Sequence, residues 1–275
     1  MRFELLSDVR ALRRGWRWGD ARPATWSPPG EGAPERDGDL DWARSPAVRG
    51  LRWAIQRGVS LPFTRAMANP VVEGREWLSQ LDRPAILVSN HASHADTQLL
   101  LYALTDEVRE RTVVAAAADY WYDHQLLGQV VGLWLNTFPF ARNGSPQQVL
   151  SSSQRLLKSG WHLLIYAEGT RSPDGRLQDF RPGPAYLAIG NRTPVVPMHV
   201  AGSRRIMPRG QPIPLPAPAR VRIGRPLWPR RGENARAFTV RIQSSVEGLS
   251  RRSAPEDVRG TWIERWRALG PPRDA

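Results

Sequence analysis

From Leu81 onward, short apolar runs alternate with stretches of helical periodicity. Residues 85–89, 112–116, 162–167, 193–200 and 220–223 read as strands, being short, rich in Val, Ile and Leu, and bounded by turn residues. Between them, 96–105, 121–133, 146–158 and 183–189 carry helical patterns, the last two stopped by Gly160 and Gly190. This alternation predicts an α/β fold: a mixed, largely parallel central sheet flanked by helices. Prolines across 208–230 make that stretch loop or edge strand. Two further stripes, Ala235/Phe238/Ile242/Val246/Leu249 and Val258/Trp262/Trp266/Leu269, predict C-terminal helices.

Ahead of Leu81 the pattern is different. In residues 1–45, Trp16 and Trp18 sit among arginines, and 20–45 is rich in Pro, Gly and charge without periodicity, so a basic, disordered arm is expected. Val48, Leu51, Ile55 and Val59 then recur at helical spacing, within an arc of about 80° around a helix. Arg49 and Arg57 fall off that stripe, Arg52 borders it and can snorkel, and Pro62 bends or ends the segment. An amphipathic segment of this kind packs on a core or lies on a membrane. The expected organisation is an arm (1–45), a membrane-facing amphipathic helical segment (46–80) and an α/β domain with C-terminal helices (81–275).

Composition narrows the function classes. Hydrophobic residues make up 41% of 275, enough for a core of one large domain. Without cysteine, disulfides, thiolate zinc sites and a Cys nucleophile are excluded, and no His or acidic cluster has ligand spacing, so no metal is expected. The formal charge of +13 is carried by arginine, Lys158 being the sole lysine, and points to anionic partners. Nucleic acid is set aside, because the arginines are dispersed and no recognition motif appears. The chain opens without the apolar core of about 7–15 residues that a secretory leader needs. No window approaches the ~18 apolar residues of a membrane span; the longest candidate, 126–140, is broken by Gly128, Gln129, Gly132 and Asn136. A cytoplasmic location is expected.

The chemistry concentrates where the first strand ends, in Asn90-His91-Ala-Ser93-His94-Ala-Asp96. His91 and Asp96 would diverge by about 140° on one continuous helix. They meet only if His91 lies in the strand-to-helix turn and Asp96 reaches back from the first helical turn. The carboxylate then holds one imidazole nitrogen protonated and leaves the other free to take a proton. Ser93 has no nucleophile elbow around it and reads as a helix N-cap. His94 reads as a bystander, and His124, His162 and His199 as structural. A second polar turn, Glu168-Gly169-Thr170-Arg171-Ser172, again follows an apolar run; Gly169 allows close approach and Arg171 offers a fork for a phosphate.

Asn90-His-x-Ser-x-x-Asp96 resembles the first block of the glycerolipid acyltransferases, the 1-acylglycerol-3-phosphate acyltransferase family. Phe138-Pro-Phe-Ala-Arg142 resembles the second block, Glu168 to Ser172 the third and Val195-Val-Pro-Met198 the fourth, in the family's order. Phe180-Arg-Pro-Gly183 is similar to the family's aromatic-basic-x-Gly segment, with Arg181 adding charge near the site. Block two departs from the family pattern, since Pro139 and Ala141 precede the arginine.

The resemblance implies an O-acyltransferase of phospholipid biosynthesis or remodelling. His91 and Asp96 would be catalytic, and Arg142, Glu168, Gly169, Thr170 and Arg171 would bind the acceptor phosphate or order its site. Acyl-CoA or acyl carrier protein would be the co-substrate, with no further cofactor. A lysophospholipid or glycerol-phosphate-type alcohol would be the acceptor, and the protein would bind peripherally to the anionic inner face of the cell membrane. Backbone amides at the start of the Asp96 helix are candidate oxyanion donors. A catalytically silent lipid-binding relative, or an enzyme acting on a non-phosphoglyceride lipid, are the alternatives.

Overall fold

A computed structural model describes residues 41–117, 132–140, 146–207 and 213–251. Arg142, the pair Trp16 and Trp18, His124, most of the 121–133 helix and the Val258–Leu269 stripe lie outside the described residues. In chain order the elements are α1 (Pro46–Ile55), α2 (Leu61–Ala68), β1 (Val71–Glu73), β2 (Ile86–Ser89), α3 (Ala95–Ala103), α4 (Asp106–Glu110) and β3 (Thr112–Ala117). Then follow β4 (Thr137–Phe140), α5 (Pro146–Lys158), β5 (His162–Tyr166), α6 (Gly183–Asn191), β6 (Val195–Ala201), α7 (Ser203–Ile206), β7 (Arg220–Ile223) and α8 (Ala235–Arg251).

The strands form one sheet in the order β1-β7-β6-β2-β5-β3-β4. All pairings are parallel except β6 with β7. Side chains alternate strictly between two cores. Leu87, Leu164, Val196 and Met198 face α3 and its Leu99, Leu100 and Leu101. Ile86, Val88, Leu163 and Ile165 face α5, α6 and α8, where Phe238, Ile242 and Val246 are fully enclosed. A parallel sheet buried on both faces needs runs that are apolar throughout, the pattern visible at 85–89 and 162–167.

Two strands were not expected. β4 contains Pro139, which argues against a central strand, but β4 is the sheet edge and needs donors on one side only. β1 is three residues long and lies ahead of residue 81, inside the segment expected to be helical (46–80). Among the described residues its partner is β7. The turn after β1 depends on Gly74 (φ 82°), where a Cβ would stand 1.9 Å from the carbonyl oxygen of Ile223.

The N-terminal helical segment buries a polar face that its apolar stripe did not announce. Helix α1 runs through one π turn, Gln56–Ser60, into α2, with the Leu61 amide bonded to the Gln56 carbonyl. The widened turn comes immediately before Pro62, which lacks an N–H and would crowd a regular helix, so the segment continues instead of ending. The positions turned inward are Arg52, Gln56, Ser60 and Thr64. Four-residue steps drift by about 40° each on a regular helix, and the π turn takes up that drift. Arg52 donates to the carbonyls of Leu133 and Ala43, Gln56 to that of Trp134, and the Trp134 indole to Ser60. The buried face is therefore polar, and Arg52 is enclosed instead of snorkelling. Burial, reinforced by Arg44 and Arg49, pulls its guanidinium down to about 10. Leu51 (52%), Trp53 (42%), Val59 (65%) and Phe63 (52%) are exposed instead.

Candidate active site

Parallel neighbours β2, β5 and β6 end side by side, and the polar segments that follow them meet at that edge. After β2 the chain turns through Asn90, whose amide clasps β6 by donating to the Val200 carbonyl (3.0 Å) and accepting from its N–H (2.8 Å). His91 follows, and Asp96 reaches back from the first turn of α3. The His91 Nδ1–H donates to Asp96 Oδ2 at 2.9 Å. The same oxygen accepts the amides of Ala92 (2.6 Å) and Ser93 (2.8 Å). A fully buried carboxylate is tolerable only with such partners. With Nδ1 committed, Nε2 is the basic nitrogen of a half-buried ring.

The turn after β5 locks onto the turn after β2. Glu168 Oε1 accepts the His91 amide at 2.8 Å, Oε2 accepts the Gln178 amide at 3.3 Å, and the Ser172 amide donates to the His91 carbonyl at 2.7 Å. Glu168 is thus a brace on the His91 backbone. Its burial raises the carboxyl to about 7, against the lowering effect of those two amides. Gly169 (φ 76°) leaves room for the Arg181 side chain, whose Nε would stand 2.7 Å from a Cβ there. Thr170 is exposed and Arg171 is half-buried close to His94. Burial, then Arg171 and His91, lower the His94 imidazole to about 4, so it is neutral at physiological pH.

Of the expected site residues, the structure brings His91, Asp96, Glu168, Gly169, Thr170 and Arg171 to one edge of the sheet. Arg142, which would follow β4, is outside the described residues. Ser93 caps α3 as expected: its Oγ accepts from the Ala95 amide at 3.1 Å and donates to the Met207 carbonyl at 2.9 Å, while His94 has helical backbone angles and makes no side-chain cap bond. One expectation is corrected. The amides of Ala92, Ser93, Ala95 and Asp96 are already bonded inside the turn, so they are not available to an oxyanion. One residue was not singled out: Tyr166, at the end of β5, stacks on His91 with ring centroids 3.9 Å apart and planes inclined by 15°. A polar aromatic ending an apolar run just before Glu168 was its only signal. His162 accepts the Ala85 amide at the opposite ends of the strands, beside a cavity of about 490 Å³ that is remote from His91.

A family model described as Acyltransferase matches residues 69–201, which span β1 to β6 and hold both turns. Residues 69–201 thus form a domain of the acyltransferase family. The chain is similar to the 1-acyl-sn-glycerol-3-phosphate acyltransferase LPAT1 of Arabidopsis thaliana chloroplasts, 33% identical over 142 residues, covering 50% of this chain and 38% of that protein. The human 1-acyl-sn-glycerol-3-phosphate acyltransferase beta is 31% identical over 121 residues, 42% of this chain and 41% of the relative. The chain therefore spans less than half the length of these two curated acyltransferases. The crystal structure of the 1-acyl-sn-glycerophosphate acyltransferase PlsC from Thermotoga maritima superposes with a TM-score of 0.59 at 21% identity, over 81% of this chain and 85% of that one. That likeness confirms the acyltransferase fold.

Proposed function

We propose that this protein transfers a fatty acyl group from a thioester, acyl-CoA or acyl carrier protein, to the free hydroxyl of a 1-acylglycerol 3-phosphate. The observation that carries the reading is the His91–Asp96 pair, held at 2.9 Å at the carboxyl ends of parallel strands and braced by Glu168. His91 Nε2 takes the acceptor's hydroxyl proton as that oxygen attacks the thioester carbonyl. Asp96 steadies the imidazolium so formed. The tetrahedral adduct collapses to the new ester, and the departing sulfur takes the proton from Nε2, restoring the base. Thiolate leaves readily, so no acyl-enzyme intermediate is required.

Acceptor recognition is assigned to two arginines. Arg171 follows Glu168-Gly169-Thr170, and Arg142 closes the second block; both suit a phosphate through planar forks. Thiol release from an acyl thioester, measured with 1-acylglycerol 3-phosphate and with the matching monoacylglycerol, tests this. The phosphorylated acceptor is expected to be preferred, and Arg171→Ala to raise its KM about tenfold or more, with only partial rescue by Lys. Equal turnover of both acceptors would refute the phosphate reading.

Access to such an acceptor requires a membrane surface. No helix of the described residues is long and apolar enough to cross one. Support for peripheral binding comes from the outward Leu51, Trp53, Val59 and Phe63 of the α1–α2 segment and from the net charge of +13. An anionic cytoplasmic leaflet is the proposed surface.

A further inference from the structure

The proposed mechanism leaves Tyr166 unused, although the ring is in direct contact with the proposed base. Asp96 fixes His91 at one atom, Nδ1, and a single hydrogen bond leaves the imidazole able to swing about that point. The Tyr166 ring covers one face of the imidazole at 3.9 Å and nearly parallel. Its hydroxyl meets Thr97 Oγ1 at 2.7 Å. Thr97 adjoins Asp96 on α3, so one side chain contacts the base and is anchored to the helix that carries the base's partner. Tyr166 ends β5, the strand hydrogen-bonded to β2, which delivers His91.

We infer that Tyr166 is a positioning residue: its ring, held at the end of β5, fixes the plane of the His91 imidazole. Two constraints, an edge bond and a face contact, define a ring's orientation where either alone does not. General-base catalysis is sensitive to this orientation, because Nε2 has to point along the acceptor's O–H bond. The phenol itself is no rival acid or base. Burial, with Asp96 nearby, pushes it far above its ordinary range. The inference rests on His91 being the base of the proposed transfer.

The test compares Tyr166→Phe, which keeps the ring, with Tyr166→Leu and Tyr166→Met, which remove it. Thermal unfolding identifies the folded variants. Turnover is followed by thiol release, and ¹⁵N relaxation of the His91 ring reports its motion without requiring turnover. Tyr166→Phe is expected to stay within about threefold of wild-type kcat, and the aliphatic variants to lose about tenfold or more at unchanged KM. The imidazole should be rigid in wild type and Tyr166→Phe, and show added ring motion in the aliphatic variants. Wild-type kcat or an equally rigid imidazole in a folded aliphatic variant would overturn the inference. A wild-type protein that releases no thiol would instead defeat the proposed function, while the ¹⁵N comparison would still decide the positioning role.

Discussion

Asp96 holds three donors on one oxygen while fully enclosed, and that concentration gives the residue two separable duties. It orients the imidazole, and it closes the turn between β2 and α3. Asp96→Asn is therefore expected to lower activity and also stability, by about 2 kcal/mol, since charge-assisted bonds become neutral ones and amide hydrogens are turned toward existing donors. Urea unfolding alongside kinetics checks this; an Asn variant as stable as wild type would leave Asp96 only the orienting role. Glu168 yields a pH prediction. Its folded carboxyl keeps a proton up to about 7, against an ordinary 4.5. Between those values the native state binds the extra proton, so stability falls as pH rises through the window and is level on either side of it. The contribution is on the order of 2 kcal/mol. Glu168→Gln, unfolded by urea at pH 4.5, 6 and 8, should lack this decline, and an identical decline in both proteins would contradict the assignment. The His91–Asp96 contact was legible because five-residue spacing permits one geometry across a strand-to-helix turn. The bracing role of Glu168 was not, because it depends on which backbone amides two loops present to each other.

Among elements, the buried runs of β2, β5 and β6 declared themselves because both faces of a parallel strand are covered. β1 escaped because three residues carry no period, and β4 because Pro139 reads as a breaker unless the edge position is known. The α1–α2 segment shows a different limit. Its outward apolar stripe was legible, but not what holds the opposite face: carbonyls at 43, 133 and 134 that draw Arg52 and Gln56 inward. The exposed side then carries Trp53 and Phe63, with the Arg57 guanidinium 5.8 Å from the Trp53 ring centre. Trp53→Glu/Phe63→Glu should weaken co-sedimentation with anionic vesicles about tenfold or more, as each lost apolar contact is joined by charge repulsion. Raising salt should weaken the wild type in the same direction, at about 1 kcal/mol per surface arginine. Unaltered binding by the double variant would remove this segment from the membrane contact.

At the scale of the molecule, alternation of strands and helices announced the α/β class, while the order β1-β7-β6-β2-β5-β3-β4 was beyond reach of any local pattern. That order is what makes the site, since it sets β2 between β5 and β6 and so brings the turns bearing His91 and Glu168 into contact. Charge belongs to this scale also: an arginine-rich chain of net charge +13 favours an anionic acceptor and an anionic bilayer together. The central claim is that His91 is the general base of acyl transfer to a lysophospholipid hydroxyl. Its most direct test is thiol release from acyl-CoA or acyl carrier protein in the presence of 1-acylglycerol 3-phosphate, by wild type and by a folded His91→Ala variant. The account predicts acceptor-dependent release by the wild type and a loss of about 10²–10⁴ in kcat for the variant; near-equal turnover by the two proteins would contradict it.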